Sequence, residues 1–343
     1  TLFYSCGQKK HVLASSVSIS SISLSSAEVS SVSMQSSVDL SLNGKALCGH
    51  ISSEYAVVAS AGGSLSFFNL NGSGIPRHVL KYENPVPISR VKSQKDGHVA
   101  TLRQDGTLSL WQPFASSLRP LLGVLNVPHT GAMSAAASFY EPSTIVTDMD
   151  FSVDSANIIA GGCQSGVVHI YDTRTPFALQ RSLGHVDSSG GNSNHGPNSG
   201  SFGACRSVLF ANSPYVLASC HEKHVLVWDL RHGGSTGAPI LRLDAHPPPS
   251  AETANMEWQY LDCTWSGPTA SSLVTVSSGP ADLREGGRAQ RLQWWDSTSG
   301  DLQGSRDLSL SGSESDTMEA PTLLLTTPTG RGVVVAQCHQ SEV

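Results

Sequence analysis

Short apolar segments alternate with polar turns along most of the chain. Residues 216–220 and 224–229 are two such segments, and in the second one Leu226 and Trp228 lie on the face opposite to Val227. Side chains that point alternately to two faces are typical of a β-strand. Because only a short polar stretch separates the two segments, residues 216–229 are predicted to form a β-hairpin.

The same hairpin pattern returns before and after this stretch. Gly-Gly, Asp-Gly and Ser-Gly turns join the paired segments, and such turns are strong signals of antiparallel strands. The predicted pairs are residues 54–61 with 64–70, 98–102 with 107–111, 158–162 with 167–172, and 273–277 with 291–296. Upstream segments add one strand to each later set, at residues 88–91, 144–151, 206–210 and 259–264. No helical pattern alternates with these strands, which argues against a parallel α/β fold.

Both ends of the chain hold shorter sets of predicted strands. Apolar residues recur at a spacing of two within the serine-rich residues 15–41, which favours strands with serine on the exposed face. A disordered serine-rich tail is the alternative. Residues 322–326 and 333–337 predict two further strands. The incomplete sets leave two interpretations: the ends close a ring together, or the full chain is longer.

A strand that ends in Trp-Asp after a polar turn resembles one blade of a WD-repeat β-propeller. The matching positions are Trp228-Asp229, Tyr171-Asp172, Trp295-Asp296 and the Gly184-His185 pair that precedes the Trp228 strand. Two other predicted blades carry Phe68-Asn69 and Trp111-Gln112 instead. The repeat is therefore degenerate, and the pattern of strands supports the fold more than the motif does.

In the WD-repeat family, a Trp, a Ser or Thr, a turn Asp and the His of the Gly-His pair form a buried hydrogen-bonded network. The resemblance assigns His185, Ser219 and Trp228 to three of these positions, while His221 stands where the family has Asp. It implies that these residues are structural.

The spacing of the repeats locates the long loops. Anchors at Phe68, Trp111, Tyr171, Trp228 and Trp295 are 43, 60, 57 and 67 residues apart, against about 40–45 for a WD repeat. The excess lies in stretches rich in Gly, Pro and Ser, mainly residues 115–142, 185–203, 245–255 and 279–288. Such stretches are predicted to be loops at the rims of the propeller.

We therefore predict a single all-β domain: a WD-repeat β-propeller with four-stranded antiparallel blades and long rim loops. Seven blades are expected, or six if the strands at the two ends merge into one blade. The predicted limits are residues 1–36 for a partial N-terminal blade, then 37–84, 85–130, 143–184, 204–244 and 256–310, and 320–338 for a partial C-terminal blade.

Composition narrows the classes of partner. The net charge is −6, which gives no general support for binding nucleic acid or anionic membranes. No apolar run approaches the roughly 18 residues of a membrane span. The seven cysteines include no Cys-x-x-Cys pair, which favours a reducing compartment. We expect an intracellular protein of the cytoplasm, nucleus or nuclear envelope, with protein partners and no direct nucleic-acid binding or membrane insertion.

Motifs for catalysis are missing from the sequence. It contains no phosphate-binding loop, dinucleotide-binding fingerprint or His-Glu-x-x-His motif, and no carboxylate or His cluster is visible. His221 and His224 lie around a predicted turn, where a metal ion would need ligands from other blades. We predict no enzyme activity, catalytic residue, metal, cofactor or small-molecule substrate.

Two Asp-x-Arg sequences follow predicted third strands of blades, Asp172 with Arg174 and Asp229 with Arg231. Arg is favoured at recognition surfaces, so these four residues are candidates for partner binding. Residues 216–231 also resemble the pattern of propellers that dock on the cullin-4 adaptor. The structural alternative is that each Asp caps a turn while its Arg pairs with a neighbouring blade.

Two functions remain open at this point. The first is a non-enzymatic scaffold, a structural subunit of a large multiprotein complex; the blade order resembles WD-repeat nucleoporins of the pore outer ring and the propeller subunit of the methylosome. The second is a substrate receptor of a cullin-4 type ubiquitin ligase. The acidic serine run at residues 311–317 is either a phosphorylation site or a solvated linker.

Overall fold

A computed structural model of the chain describes the backbone of residues 2–4, 11–19, 32–41, 46–51, 55–60, 63–69, 76–81, 86–94, 97–112, 121–125, 145–153, 155–174, 178–184, 202–231, 238–244, 258–266, 269–281, 288–308, 322–326 and 333–337. Side chains are described for residues 48–50, 57–60, 63–68, 86–94, 97–112, 145–153, 157–174, 181–184, 202–231, 238–244, 258–266, 269–279 and 290–306. Within these residues no helix is long and apolar enough to cross a membrane.

Five antiparallel sheets of four strands make up most of the described chain. Blade 1 contains β4 (Ala46–Ile51), β5 (Tyr55–Ser60), β6 (Ser64–Asn69) and β7 (Pro76–Lys81). Blade 2 contains β8 (Ile88–Ser93), β9 (Val99–Arg103), β10 (Leu108–Trp111) and β11 (Leu121–Leu125). Blade 3 contains β12 (Val146–Ser152), β13 (Ser155–Cys163), β14 (Val168–Asp172) and β15 (Ala178–Leu183). Blade 4 contains β16 (Cys205–Phe210), β17 (Val216–His221), β18 (His224–Asp229) and β19 (Leu241–Asp244). Blade 5 contains β20 (Gln259–Ser266), β21 (Ser272–Ala281), β22 (Arg288–Asp296) and β23 (Leu302–Leu308).

Two smaller sheets lie at the ends of the described chain. The N-terminal one has three strands, β1 (Leu2–Tyr4), β2 (His11–Ile19) and β3 (Val32–Ser41). The C-terminal one has two, β24 (Thr322–Thr326) and β25 (Val333–Gln337). The choice between six and seven blades, and the predicted limits of each blade, stay predictions.

The first strands of successive sheets form the inner part of the structure. Contacts join β4 to β8, β8 to β12, β12 to β16, β16 to β20, and β20 to β24. In every four-stranded sheet, each later strand is hydrogen-bonded to the one before it, so the sheet extends outward from its first strand. Sheets placed side by side around an inner ring of first strands are the architecture of a β-propeller. The fold is an all-β propeller.

The hydrophobic core lies between neighbouring blades, in one layer at each junction. Leu102 and Leu108 of blade 2 pack with Met149 and Tyr171 of blade 3, and all four are buried. Similar layers join blades 1 and 2, blades 3 and 4, and blades 4 and 5. Because a central strand is covered on both faces, its residues are almost all buried. This explains the nearly continuous apolar sequence of β17 and β18.

One hydrogen bond recurs within three blades. The indole N–H of a Trp in the third strand donates to a hydroxyl of the second strand, diagonally across the pair. The bonds join Trp111 to Thr101 (2.9 Å), Trp228 to Ser219 (2.9 Å) and Trp295 to Thr275 (3.0 Å). A buried indole N–H without an acceptor is costly, so the Trp and the hydroxyl residue are needed together.

Blade 3 departs from this pairing because its third strand carries Tyr171. The residue that occupies the hydroxyl position is Gly161, and a Cβ built there would lie 3.2 Å from Cε2 of Tyr171. The phenol ring thus fills the space that the Thr or Ser side chain takes in blades 2, 4 and 5. Blade 3 therefore keeps its packing because Tyr replaces Trp and Gly replaces the hydroxyl residue together.

Candidate functional site

The Asp229 to Arg231 turn closes on itself. Oδ1 of Asp229, at the end of β18, accepts the backbone N–H of Arg231 at 2.9 Å and its Nε–H at 3.0 Å. Oδ2 of Asp229 accepts NH2 of Arg231 at 2.6 Å. The Asp229 side chain is 5% exposed and the Arg231 side chain 60% exposed. The carboxylate therefore lies beneath the guanidinium and fixes its orientation.

The Asp172 to Arg174 turn in blade 3 repeats this geometry. Its four hydrogen bonds measure 2.9, 3.0, 3.2 and 2.6 Å, the same values as in blade 4. Hydrogen bonds from Arg174 lower the pKa of Asp172 below its usual value. The structural alternative was right about the Asp, which caps the turn. It was wrong about the Arg, because each Arg pairs with the Asp of its own turn.

Tyr215 lies beside the blade 4 turn. The Arg231 guanidinium carbon is 5.8 Å from the centroid of the Tyr215 ring, and the backbone N–H of Leu230 donates to the Tyr215 carbonyl at 2.6 Å. NH1 of Arg181, in the outer strand of blade 3, donates to the Leu230 carbonyl at 3.2 Å. The turn is thus held from both sides, by its own blade and by the neighbouring one.

Strand direction places both Asp-Arg turns on one rim. In each blade the first and third strands end at the same side of the propeller, which we call the lower rim. Five large hydrophobic residues are exposed in the described chain, and four of them lie on the lower rim of blades 3 to 5: Val153, Tyr215, Ile240 and Leu302, which are 49%, 49%, 56% and 45% exposed. The fifth, Ile145, starts β12 at the opposite, upper rim and is 38% exposed.

These residues lie along one rim of three adjacent blades. The connection between blades 4 and 5 is close, since a Cβ on Gly300 would lie 2.6 Å from Cδ1 of Leu241. We call this surface the lower-rim arc: Val153, Arg174, Tyr215, Arg231, Ile240 and Leu302. Its two Arg residues were predicted from the sequence but its hydrophobic residues were not, because a single exposed apolar residue next to a strand has the same local sequence as a core residue.

A second network lies at the upper rim of blade 4. Trp228 donates to Oγ of Ser219, and Ser219 lies 2.8 Å from Nε2 of His221. Nδ1 of His221 lies 3.1 Å from the carbonyl oxygen of Gly203, which can only accept. Nδ1 therefore carries the proton and Nε2 accepts from Ser219. His221 completes the network from within β17; His185, which the family resemblance placed there, lies outside the described residues.

Burial makes this network sensitive to acid. Desolvation lowers the pKa of His221 from its usual 6.5 to about 4. The unfolded chain takes up a proton below pH 6.5 and the folded chain does so only near pH 4, so stability falls across this window as pH decreases. We expect a loss of roughly 3 kcal/mol in unfolding free energy between pH 7 and pH 4 from this residue, measured by urea unfolding at several pH values. His50 adds to it, since burial and Lys92 lower its pKa to about 4.

A His221→Gln variant is the matched control. Gln has both a donor and an acceptor for Gly203 and Ser219 but does not titrate. Between pH 7 and pH 4, the unfolding free energy of this variant should fall by roughly 3 kcal/mol less than that of the unaltered chain. If this variant lost as much stability between pH 7 and pH 4 as the unaltered chain, titration of His221 would not be the cause of the loss.

His224 lies between Asp244 and Arg242 at the same rim. Its Nδ1 is 2.6 Å from Oδ1 of Asp244, and its Nε2 is 3.1 Å from NH2 of Arg242. The rings of His221 and His224 thus both bind protein groups. In the part of the chain that the structure describes, no group of three or more His, Cys, Asp or Glu side chains is arranged to hold a metal ion.

Charged residues that sequence analysis missed connect three inner strands. Nε of Arg90 in β8 is 3.1 Å from Oδ1 of Asp148 in β12, and Oδ2 of Asp148 accepts the backbone N–H of Val208 in β16 at 2.9 Å. Because β16 is the first strand of its sheet, one of its edges has no strand partner within that sheet. The carboxylate supplies the missing acceptor.

The same connection repeats two residues along each strand. Nζ of Lys92 is 3.5 Å from Oδ1 of Asp150, whose Oδ2 accepts the N–H of Phe210 at 2.9 Å. Burial raises the pKa of Asp150, and the neighbouring Asp150 raises the pKa of Lys92. We call these two connections the inner-ring ladder. Its carboxylates are occupied by structural partners. The charges at a spacing of two in β8 and β12 place two charged side chains on one face of each strand, but they do not indicate which strands become neighbours.

No protein-family model matches the chain, and no curated protein matches it. Solved structures do share its architecture. A chain of the mitotic checkpoint complex aligns with a TM-score of 0.59 and 16% identity, covering 95% of this chain and 80% of that one. The computationally designed Ika8 protein aligns with a TM-score of 0.51 and 17% identity, covering 88% of this chain and 74% of its own. At such identities the likeness shows the fold alone.

Proposed function

We propose that this propeller is a non-enzymatic scaffold for protein–protein interaction, a structural subunit of a larger intracellular assembly. The observation that carries the proposal is the lower-rim arc, where four of the five exposed large hydrophobic residues of the described chain share a rim with two oriented Arg side chains. A single exposed apolar residue is ordinary, but a group of them on one surface is typical of an interaction site.

The composition of the arc supports the same role. Tyr and Arg are the residues that most often dominate the binding energy of protein interfaces. Tyr215 and the two Arg residues are held by contacts within the fold, so little conformational entropy is lost when a partner binds. A ring of short blades also offers several rims to different partners at once.

The test compares the two rims. A Tyr215→Ser, Ile240→Ser double variant removes apolar surface from the arc, and Ile145→Ser removes a similar residue from the upper rim. After affinity purification with quantitative mass spectrometry, we expect the double variant to lose at least one partner by about tenfold, as for a loss of roughly 1.4 kcal/mol. The Ile145→Ser variant should retain that partner. Equal recovery of all partners by both variants would contradict the proposal.

A second candidate function is a substrate receptor of a cullin-4 type ubiquitin ligase. It is favoured by the identical geometry of the two Asp-x-Arg turns, which present Arg174 and Arg231 at the same rim of adjacent blades. Charge reversal with Arg174→Glu and Arg231→Glu should abolish co-purification of the cullin-4 adaptor. Unchanged recovery of the adaptor would exclude this function and leave the scaffold proposal intact.

A further inference from the structure

We infer that the lower-rim arc binds an acidic and apolar segment of a partner protein. In this arrangement carboxylates of the segment bind Arg174 and Arg231, and an apolar side chain lies on Tyr215 and Ile240. The inference rests on the proposed function and names the chemistry of its partner.

The orientation of the two guanidiniums supports a carboxylate ligand. In each turn the Asp binds Nε and NH2 of the Arg. NH1 of Arg174 and of Arg231 has no partner among the described residues, and the side chains are 67% and 60% exposed. A guanidinium edge offers two parallel N–H donors, which match the two oxygens of a carboxylate. Because its own Asp already holds the Arg in place, binding costs little side-chain entropy.

The distribution of charge at the turns determines which anion fits. The Asp side chains are only 11% and 5% exposed, so a partner that contacts the rim meets the positive groups first. Each turn is nevertheless neutral as a whole, and the chain carries a net charge of −6. Long-range attraction of nucleic acid or another polyanion is therefore weak. A few side-chain carboxylates at close range fit this arrangement better.

Apolar side chains lie beside the Arg231 turn. Tyr215 and Ile240 flank the end of β18, since the Tyr215 carbonyl binds the N–H of Leu230 and the N–H of Ile240 binds the carbonyl of Val227. Arg231 lies over the Tyr215 ring. An aliphatic or aromatic side chain placed there would be covered by a ring and an aliphatic group, with a guanidinium at its edge. The partner segment should therefore place its carboxylates close to an apolar residue.

The experiment uses fluorescein-labelled synthetic peptides and the full chain. The peptides carry Glu, then Leu or Phe, then Glu, joined by Gly-Ser spacers of different lengths, and matched peptides carry Gln in place of Glu. Fluorescence anisotropy measures the dissociation constant at low and high salt. For the best spacer we expect the Gln peptide to bind about tenfold more weakly, and the affinity of the Glu peptide to fall with added salt.

Variants of the chain separate the contributions. Arg174→Gln with Arg231→Gln should weaken the Glu peptide about tenfold and leave the Gln peptide unchanged. Tyr215→Ser with Ile240→Ser should weaken both peptides, and Ile145→Ser neither. Thermal unfolding verifies that each variant is folded. The Arg variants remove the side-chain hydrogen bonds of Asp172 and Asp229, so their unfolding temperature is expected to fall slightly while the transition stays cooperative.

Three results would overturn the inference. Equal binding of the Glu and Gln peptides would show that the carboxylates do not matter. Tighter binding of a phosphoserine peptide or heparin would assign the arc to polyanions. If no Glu peptide bound, the arc would not recognise a short acidic and apolar segment. None of these results depends on the comparison of rim variants by affinity purification. The scaffold proposal is therefore tested separately.

Discussion

Replacing Asp148 with alanine is expected to lower the free energy of unfolding by about 3 kcal/mol. The carboxylate, nearly buried, accepts Nε–H of Arg90 on one oxygen and the backbone N–H of Val208 on the other. Alanine leaves the buried amide without an acceptor and removes a charged hydrogen bond. Urea unfolding at pH 7 measures the loss, and hydrogen exchange at the Val208 amide should accelerate more than at Ser219 within the same sheet.

Two further variants separate the contribution of the ion pair from that of the hydrogen bond to the Val208 amide. Arg90→Ala removes the ion pair but leaves the Val208 amide bound to Asp148, and the Arg90 side chain is half exposed, so about 1 kcal/mol should be lost. Asp301→Ala removes an exposed carboxylate from a turn of blade 5 and should change stability by less than about 0.5 kcal/mol. If Asp148→Ala cost no more than Arg90→Ala, the bond to the Val208 amide would not stabilise the inner ring.

The first three strands of blades 2 to 5 could be predicted from sequence because their signals are local. The fourth strands were not predicted, and β11 (Leu121–Leu125) lies within residues 115–142, which were predicted to be a loop. The hairpin turns of blades 2 and 3 carry Gly106 and Gly166, with φ of 82° and 84°, at the positions that the Asp-Gly and Ser-Gly patterns indicate. Alternation and near-continuous apolar runs then fix where each strand lies. Trp228 was likewise recognised as a core residue, and it is 1% exposed.

The inner-ring ladder could not be predicted because it depends on which strands become neighbours. Arg90 and Asp148 are separated by 58 residues, and Asp148 and Val208 by 60. These separations include loops whose lengths differ from blade to blade, so spacing carries no information about the pairing. The network around Trp228 shows a related difficulty. The sequence assigned His221 to the position of a turn Asp. Only the structure shows that its ring contacts Ser219.

The Arg residues of the lower-rim arc could be predicted from the sequence, but its hydrophobic residues could not. An Asp followed two residues later by an Arg, after a strand, can form its ion pair within one turn, and the sequence contains this signal. Tyr215 and Ile240 lie directly before β17 and β19, and their exposure depends on how the blades pack. Nothing in the local sequence distinguishes such a residue from a core residue, since both are next to an apolar strand.

The second large effect is expected at Gly166, in the turn between β13 and β14. Its φ of 84° is in the left-handed region, and a Cβ there would lie 2.4 Å from the carbonyl oxygen of Gly203 in blade 4. That carbonyl also accepts Nδ1–H of His221, so it has little freedom to move. Gly166→Ala should therefore combine backbone strain with a clash against a fixed backbone atom and cost about 3 kcal/mol or more.

Gly106 is the matched control, because it occupies the same turn position in blade 2. Its φ is 82°, but a Cβ there would meet its nearest neighbour, Cγ2 of Ile145, at 3.5 Å, an ordinary contact. Gly106→Ala should cost only the backbone strain, about 1 kcal/mol. The difference between the two variants in urea unfolding isolates the contact between blades 3 and 4. Since that contact also holds the carbonyl that binds His221, Gly166→Ala should disturb the Ser219–Trp228 network as well, visible as a shifted indole N–H signal of Trp228. Equal costs for the two variants would mean that the blades separate easily at this turn.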